Sequence, residues 1–162
     1  MPSILPSCHD LPTRTFAAGE TILAEGTPAD VLYVLVTGAV EVVKGDVQIV
    51  EVCEPGALFG EMSVLLETPH TATVRALEPS TLHVAGDPLG FLHANPAIAF
   101  ELSRLLARRL NFVNGYLVDL KRQFEGSGDH LAMVDEVLES LVHHQGRAAA
   151  GGSARCPEPT TE

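Results

Sequence analysis

The chain has 162 residues, 46% of them apolar, with 21 acidic against 10 basic side chains, a formal net charge of −11 when the seven histidines are neutral. That length accommodates one ordinary domain with an appendage, not two large domains. The acidic balance argues against nucleic-acid binding through the bulk surface, because Lys and Arg supply that affinity, so an anionic ligand needs a local positive nest.

The first twelve residues form a separate N-terminal segment. Its opening Met1-Pro2-Ser3-Ile4-Leu5-Pro6 lacks the basic and long apolar regions of a signal peptide. No apolar run approaches the ~18 residues needed to cross a bilayer, so a soluble cytoplasmic protein, away from membranes, is expected. Cys8, Cys53 and Cys156 are scattered without CxxC spacing and read as reduced thiols. With no Trp and 5% aromatic residues, the chain has little material for a base-stacking platform.

From Thr13 to about Ala85 short β-branched runs alternate with glycines, the signature of an all-β barrel or sandwich. The strands predicted are 13–16, 21–24, 31–37, 39–44, 47–52, 71–76 and 81–84. Gly45-Asp46 between two alternating apolar runs is the strongest hairpin signal.

A helical regime starts at Asn95-Pro96, an N-cap residue followed by proline in the first helical position. It is expected to run over 96–124, with Leu102, Leu106, Leu110, Val113, Leu117, Leu120 and Phe124 spaced 4, 4, 3, 4, 3 and 4. That spacing is close to the 3.5-residue repeat of a two-helix seam. The first two turns are expected against the β-domain and the stretch beyond Leu110 against a second helix. A shorter amphipathic helix is predicted over 129–145, and 146–162 reads as a disordered tail.

Between the two regimes, Phe59-Gly60-Glu61-Met62-Ser63 opens a helix of about a turn and a half, and Thr68-Pro69-His70-Thr71 directs the chain back into a strand. Backbone N–H groups at such a helix start attract anions. Glu61 beside them suits a ligand that carries hydroxyls next to its phosphate.

This segment resembles the phosphate-binding cassette of the cyclic-nucleotide-binding domain family, whose usual pattern is F-G-E, a short helix, then P-R-[ST/A]-A-T-V-x-A. Phe16-Ala17-Ala18-Gly19-Glu20-Thr21-Ile22-Leu23-Ala24-Glu25-Gly26 resembles the family's opening strand pair, and 31–42 its YxVxxGxVxV pair. The resemblance covers about 13–124. It implies a mainly β fold with α, a jelly-roll-like β-roll (a double-stranded β-helix) followed by a long C-terminal dimerisation helix and a short terminal helix. It also implies the backbone of Gly60 and Met62 around the phosphate and ribose, Glu61 on the ribose 2′-hydroxyl, and Thr71 near the phosphate or base. Phe59, Gly60, Glu61, Met62, Ser63, His70 and Thr71 are thus the ligand-binding candidates. Ser103, Asn111, Asn114, Phe112 and Tyr116 lie where the family's helix residues touch the purine, with Phe112 or Tyr116 able to stack on it.

The departure from the pattern is His70, which stands where the family usually has Arg on an equatorial phosphate oxygen. A hydrogen bond to a charged group is worth about 1.5–3 kcal/mol, so losing the arginine fork weakens binding by about one to two orders of magnitude. Imidazole is a partial, pH-sensitive substitute. Arg75 shares a strand face with Thr71 and Thr73, but is expected on the solvated side rather than as a replacement cation.

His130, His143 and His144 lack ligand spacing and imply no metal. Arg104, Arg108, Arg109, Lys121 and Arg122 gather half the basic charge on the long helix, where they read as its solvated face. No nucleophile elbow, Walker loop or zinc-protease motif is present, so no catalytic residue and no cofactor is implied. The 38 residues after Phe124 hold seven acidic and two basic side chains, unlike a DNA-recognition helix. The sequence therefore points to a stand-alone, non-enzymatic sensor for cAMP or cGMP, homodimeric through the long helix and acting on an unidentified protein partner. The alternatives are a degenerate β-roll kept only for dimerisation or protein interaction, and a haem or other small-molecule sensor suggested by Cys8-His9.

Overall fold

The computed structural model describes residues 4–124 together with 133, 134, 136, 137, 139 and 140. The chain divides into two compact units, Met1–Arg104 and Leu105–Glu162.

In the first unit a short 3-10 turn, Leu5–Cys8, precedes eight strands: β1 Thr13–Phe16, β2 Thr21–Leu23, β3 Leu32–Thr37, β4 Val40–Lys44, β5 Val47–Val52, β6 Leu58–Phe59, β7 Thr73–Ala76 and β8 Ser80–Ala85. They form two four-stranded antiparallel sheets, ordered β1-β8-β3-β6 and β2-β7-β4-β5. The jelly-roll-like β-roll expected from the sequence is present. Its core is made by inward-facing residues of both sheets, among them Phe16, Leu23, Tyr33, Leu35, Val40, Phe59, Val74 and Leu82. Phe16 meets Tyr33 edge to face with centroids 5.8 Å apart, a favoured aromatic geometry.

The Gly45-Asp46 hairpin joins β4 to β5, with Lys44 opposite Val47 and Gly45 at φ 60°. Left-handed backbone there matches the twist of the flanking strands. A second glycine is fixed by packing. Gly38 takes φ 101°, and a β-carbon on it would lie 2.6 Å from the Cα of Ser80. Ser80 is fully buried, and its hydroxyl donates to the carbonyls of Ala39 and Glu78.

Four local readings need correction. The strand expected from Thr71 starts at Thr73, because the preceding residues bond to a loop instead of the sheet: His70 N–H donates to the Thr27 carbonyl and Gly26 N–H to the His70 carbonyl, both at 2.8 Å. β6 has two residues, too few for a periodic signal. A helix α2, Pro88–Ala94, was not anticipated, although Asp87 caps it by accepting from Gly90 N–H and Pro88 occupies its first turn. The Asn95 side chain, expected to cap the long helix, instead donates to the Phe91 carbonyl of α2. The long helix opens on the Asn95 backbone carbonyl, which accepts from Ile98 and Ala99.

That long helix, α3, spans Pro96–Gln123, and Ile98 and Leu102 are its buried residues. In the second unit Leu110, Phe112, Val113 and Tyr116 are exposed on it. The described positions within 129–145 are helical, and the tail expected over 146–162 lies outside the described residues. No described helix is long and apolar enough to cross a membrane.

Candidate functional site

Tyr33 on β3 pairs with Phe59 on β6, which buries the Phe59 ring and delivers the next residue to the start of a helix. That helix, α1, spans Glu61–Leu66 and is entered through Gly60 at φ 89°. The bond from Val64 N–H to the Gly60 carbonyl, 3.1 Å, closes the opening turn. A side chain on Gly60 would be strained by the backbone and crowded by its surroundings: its β-carbon would lie 3.0 Å from the Val31 carbonyl oxygen and 3.3 Å from both His70 Cε1 and Leu23 Cδ1.

α1 lays two polar residues inward. Glu61 and Ser63 are buried with Val64, whereas Met62, Leu65 and Leu66 are exposed. The helix ends at Glu67, a left-handed residue at φ 53°, and Thr68 N–H then donates to the Ser63 carbonyl at 3.0 Å. Pro69 follows and the chain turns back.

His70 lies against this turn. It is 4% exposed, its backbone is strapped on both sides to the 26–27 loop, and its Nε2 has no hydrogen-bond partner among the described residues. Burial pushes its pKa below the ordinary histidine value, and the Asp30 carboxylate pulls the other way. Thr71 is exposed, and its carbonyl accepts from Lys44 Nζ at 3.1 Å.

Of the residues expected at the site, the Phe59–Ser63 segment and His70 thus come together at the opening of α1, with Glu61, Ser63 and His70 buried. Met62 and Thr71 have exposed side chains, and the Thr71 carbonyl is taken by Lys44. Asp30, Lys44 and the 26–27 loop were missed, since each reaches the site through a fold contact far away in sequence. Arg75 does not serve as a cation here. It lies opposite Glu41 across β4 and β7, and its Nε donates to Glu41 Oε1 at 2.6 Å.

The base-stacking candidates Phe112 and Tyr116 are 74% and 58% exposed in the second unit, and Asn114 Oδ1 has no hydrogen-bond partner among the described residues. A cleft of about 550 Å³ lies beside the site, lined by Asp30, Val64, Glu67 and Pro69 with Asp87 and Pro88 among others, but not by Gly60, Glu61 or His70. His9 is engaged by the Pro6 carbonyl and Asp10, and Cys8 is buried, which raises its pKa. No cluster of three or more His, Cys, Asp or Glu is placed to hold a metal among the described residues.

The cyclic nucleotide-binding domain family matches residues 13–86, a span that begins at β1 and ends just past β8. The CRP-like cAMP-activated global transcriptional regulator of Mycobacterium tuberculosis is 32% identical over 111 residues, 65% of this chain and 50% of that protein. The chain therefore spans about half the length of the curated relatives it matches first. Among solved structures, the N-terminal domain of a transcriptional regulator from Streptomyces coelicolor A3(2) is 34% identical with a TM-score of 0.51, covering 68% of this chain and 84% of that one. The catabolite activator protein of Thermus thermophilus shares the fold, with a TM-score of 0.63 at 24% identity over 86% of this chain and 80% of that one. With its β-roll and its Phe59-Gly60-Glu61 helix opening, the chain belongs to the cyclic nucleotide-binding domain family.

Proposed function

We propose that this chain is a non-enzymatic regulatory module that binds cAMP or cGMP at the opening of α1 and passes the bound state to a protein partner. The observation that carries the reading is the left-handed Gly60 turn, which starts a short helix with Glu61 and Ser63 buried beside His70. A singly charged cyclic phosphate at the Gly60–Ser63 backbone meets N–H groups at the helix start. Glu61 then takes the ribose 2′-hydroxyl as an acceptor. His70 replaces a permanent cation with a titratable one, so affinity is lower than an arginine would give. The M. tuberculosis relative is cAMP-activated by its description, which supports cAMP as the first ligand to try.

In the same reading the apolar stripe of α3 joins two copies of the chain. A second reading, a β-roll kept only as an interaction unit, draws on Leu110, Phe112, Val113 and Tyr116, which stand exposed on that helix. Calorimetric titration with cAMP and cGMP at pH 6 and pH 8 separates the two. Saturable heat with either ligand supports the nucleotide module; no heat at millimolar ligand at either pH leaves the interaction unit.

A further inference from the structure

Two buried side-chain polar atoms have no hydrogen-bond partner among the described residues, His70 Nε2 and Asn114 Oδ1. Such atoms are uncommon in folded proteins and call for an explanation. The His70 ring cannot easily turn away to find a partner. Its backbone is tied to Gly26 and Thr27 by two 2.8 Å hydrogen bonds, and its Cε1, the carbon between the two ring nitrogens, lies 3.3 Å from where a β-carbon of Gly60 would stand. The unpartnered nitrogen is therefore held at the opening of α1, in the place where the nucleotide reading puts a phosphate.

The charged groups on the surrounding elements are few and mostly acidic. Asp30 lies on the loop before β3, Glu61 and Glu67 stand at the two ends of α1, and Lys44 on β4 is committed to the Thr71 carbonyl. Burial keeps the free ring neutral, against the weaker pull of Asp30. A ligand phosphate arriving at Nε2 adds a further negative charge and a strong acceptor at the nitrogen that lacks one.

We propose that His70, on which the nucleotide reading already places the phosphate, works there as an imidazolium, gaining one proton from solvent as the cyclic phosphate binds. The neutral ring carries one N–H and acquires a second, which donates to an equatorial phosphate oxygen; no bond to the ligand forms or breaks. This rests on the cyclic-nucleotide reading and adds to it that affinity is set by pH. Between the pKa of the free and of the ligand-bound ring, affinity falls by about tenfold for each unit of rising pH.

The test is calorimetry of the full chain with cAMP at pH 7.5, in HEPES and in Tris, whose ionisation enthalpies differ, together with affinities from pH 6 to pH 8. The expected result is net proton uptake on binding, with affinity falling as pH rises. His70→Gln abolishes the uptake; His70→Arg also abolishes it and binds with little dependence on pH. Should His70→Gln fail to fold, the wild-type and His70→Arg measurements decide alone. Binding with equal heats in the two buffers and a flat pH profile overturns the proton coupling and leaves the nucleotide reading standing. Proton uptake unchanged in His70→Gln also overturns it, by placing the proton elsewhere, and no binding at any pH overturns both.

Discussion

Arg75 and Glu41 face each other across β7 and β4, and the guanidinium Nε donates to Glu41 Oε1 at 2.6 Å while the carboxylate is 9% exposed. The pair occupies the one arginine of the segment around the site and keeps a nearly buried carboxylate satisfied. Arg75→Ala leaves that carboxylate without its partner, and the expected loss is about 1–3 kcal/mol of unfolding free energy in urea denaturation. Ligand affinity is expected to change by no more than about twofold, since the pair belongs to the sheet. A large loss of affinity with unchanged stability would place Arg75 at the ligand instead.

Gly38 and Ser80 approach each other closely where β3 turns into β4. Gly38→Ala puts a β-carbon 2.6 Å from the Ser80 Cα in a backbone at φ 101°. Overpacking and backbone strain combine, so a loss of about 3 kcal/mol or more is expected. Thermal unfolding checks it; a midpoint equal to the parent's contradicts the packing described at the β3–β4 turn.

His70 also sets a pH dependence of stability in the ligand-free domain. Its folded pKa is lowered by burial. In the window between that value and about 6.5 the unfolded chain binds a proton that the folded chain does not, so stability rises with pH there. This contribution is fully present above about pH 6.5 and is lost as pH falls below it. Denaturation at pH 5, 6, 7 and 8 is expected to show the parent losing stability relative to His70→Gln toward acid. A constant difference across that range contradicts a ring held neutral.

The repeat on α3 carries the expected oligomer. Leu106, Leu110, Val113, Leu117 and Leu120 follow the seam spacing, and Leu110 and Val113 are 44% and 45% exposed in the single chain. A second copy covering them predicts a sedimentation mass of two chains at tens of micromolar, and Leu110→Glu with Val113→Glu is expected to return it to one. A mass of one chain in the parent contradicts the seam.

Much of this was legible in the sequence wherever a local physical signal was strong. Alternation and turn glycines place β1 and β5 at their observed bounds, and Asn95-Pro96 marks where α3 begins. Gly60 reads correctly as the entry to a short helix because a left-handed residue there favours glycine. The failures arise where a distant contact wins. Thr71 and Thr73 look alike in a β-branched run, yet the Thr27 carbonyl captures the His70 amide and delays the strand. Asn95 has the chemistry to cap either neighbouring helix, and the Phe91 carbonyl takes its side chain. Nothing local shows that Lys44 would be engaged at Thr71, or that Asp30 would act on His70.

The most direct test of the account compares cAMP affinity of the parent and His70→Arg at pH 8, where the ligand-free imidazole is neutral and charging it on binding costs most. A permanent cation at residue 70 restores a charged hydrogen bond of about 1.5–3 kcal/mol, so the variant is expected to bind about 10- to 100-fold more tightly. Equal affinities would show that residue 70 does not read the phosphate, and no binding in either protein would contradict a cyclic-nucleotide site at the opening of α1.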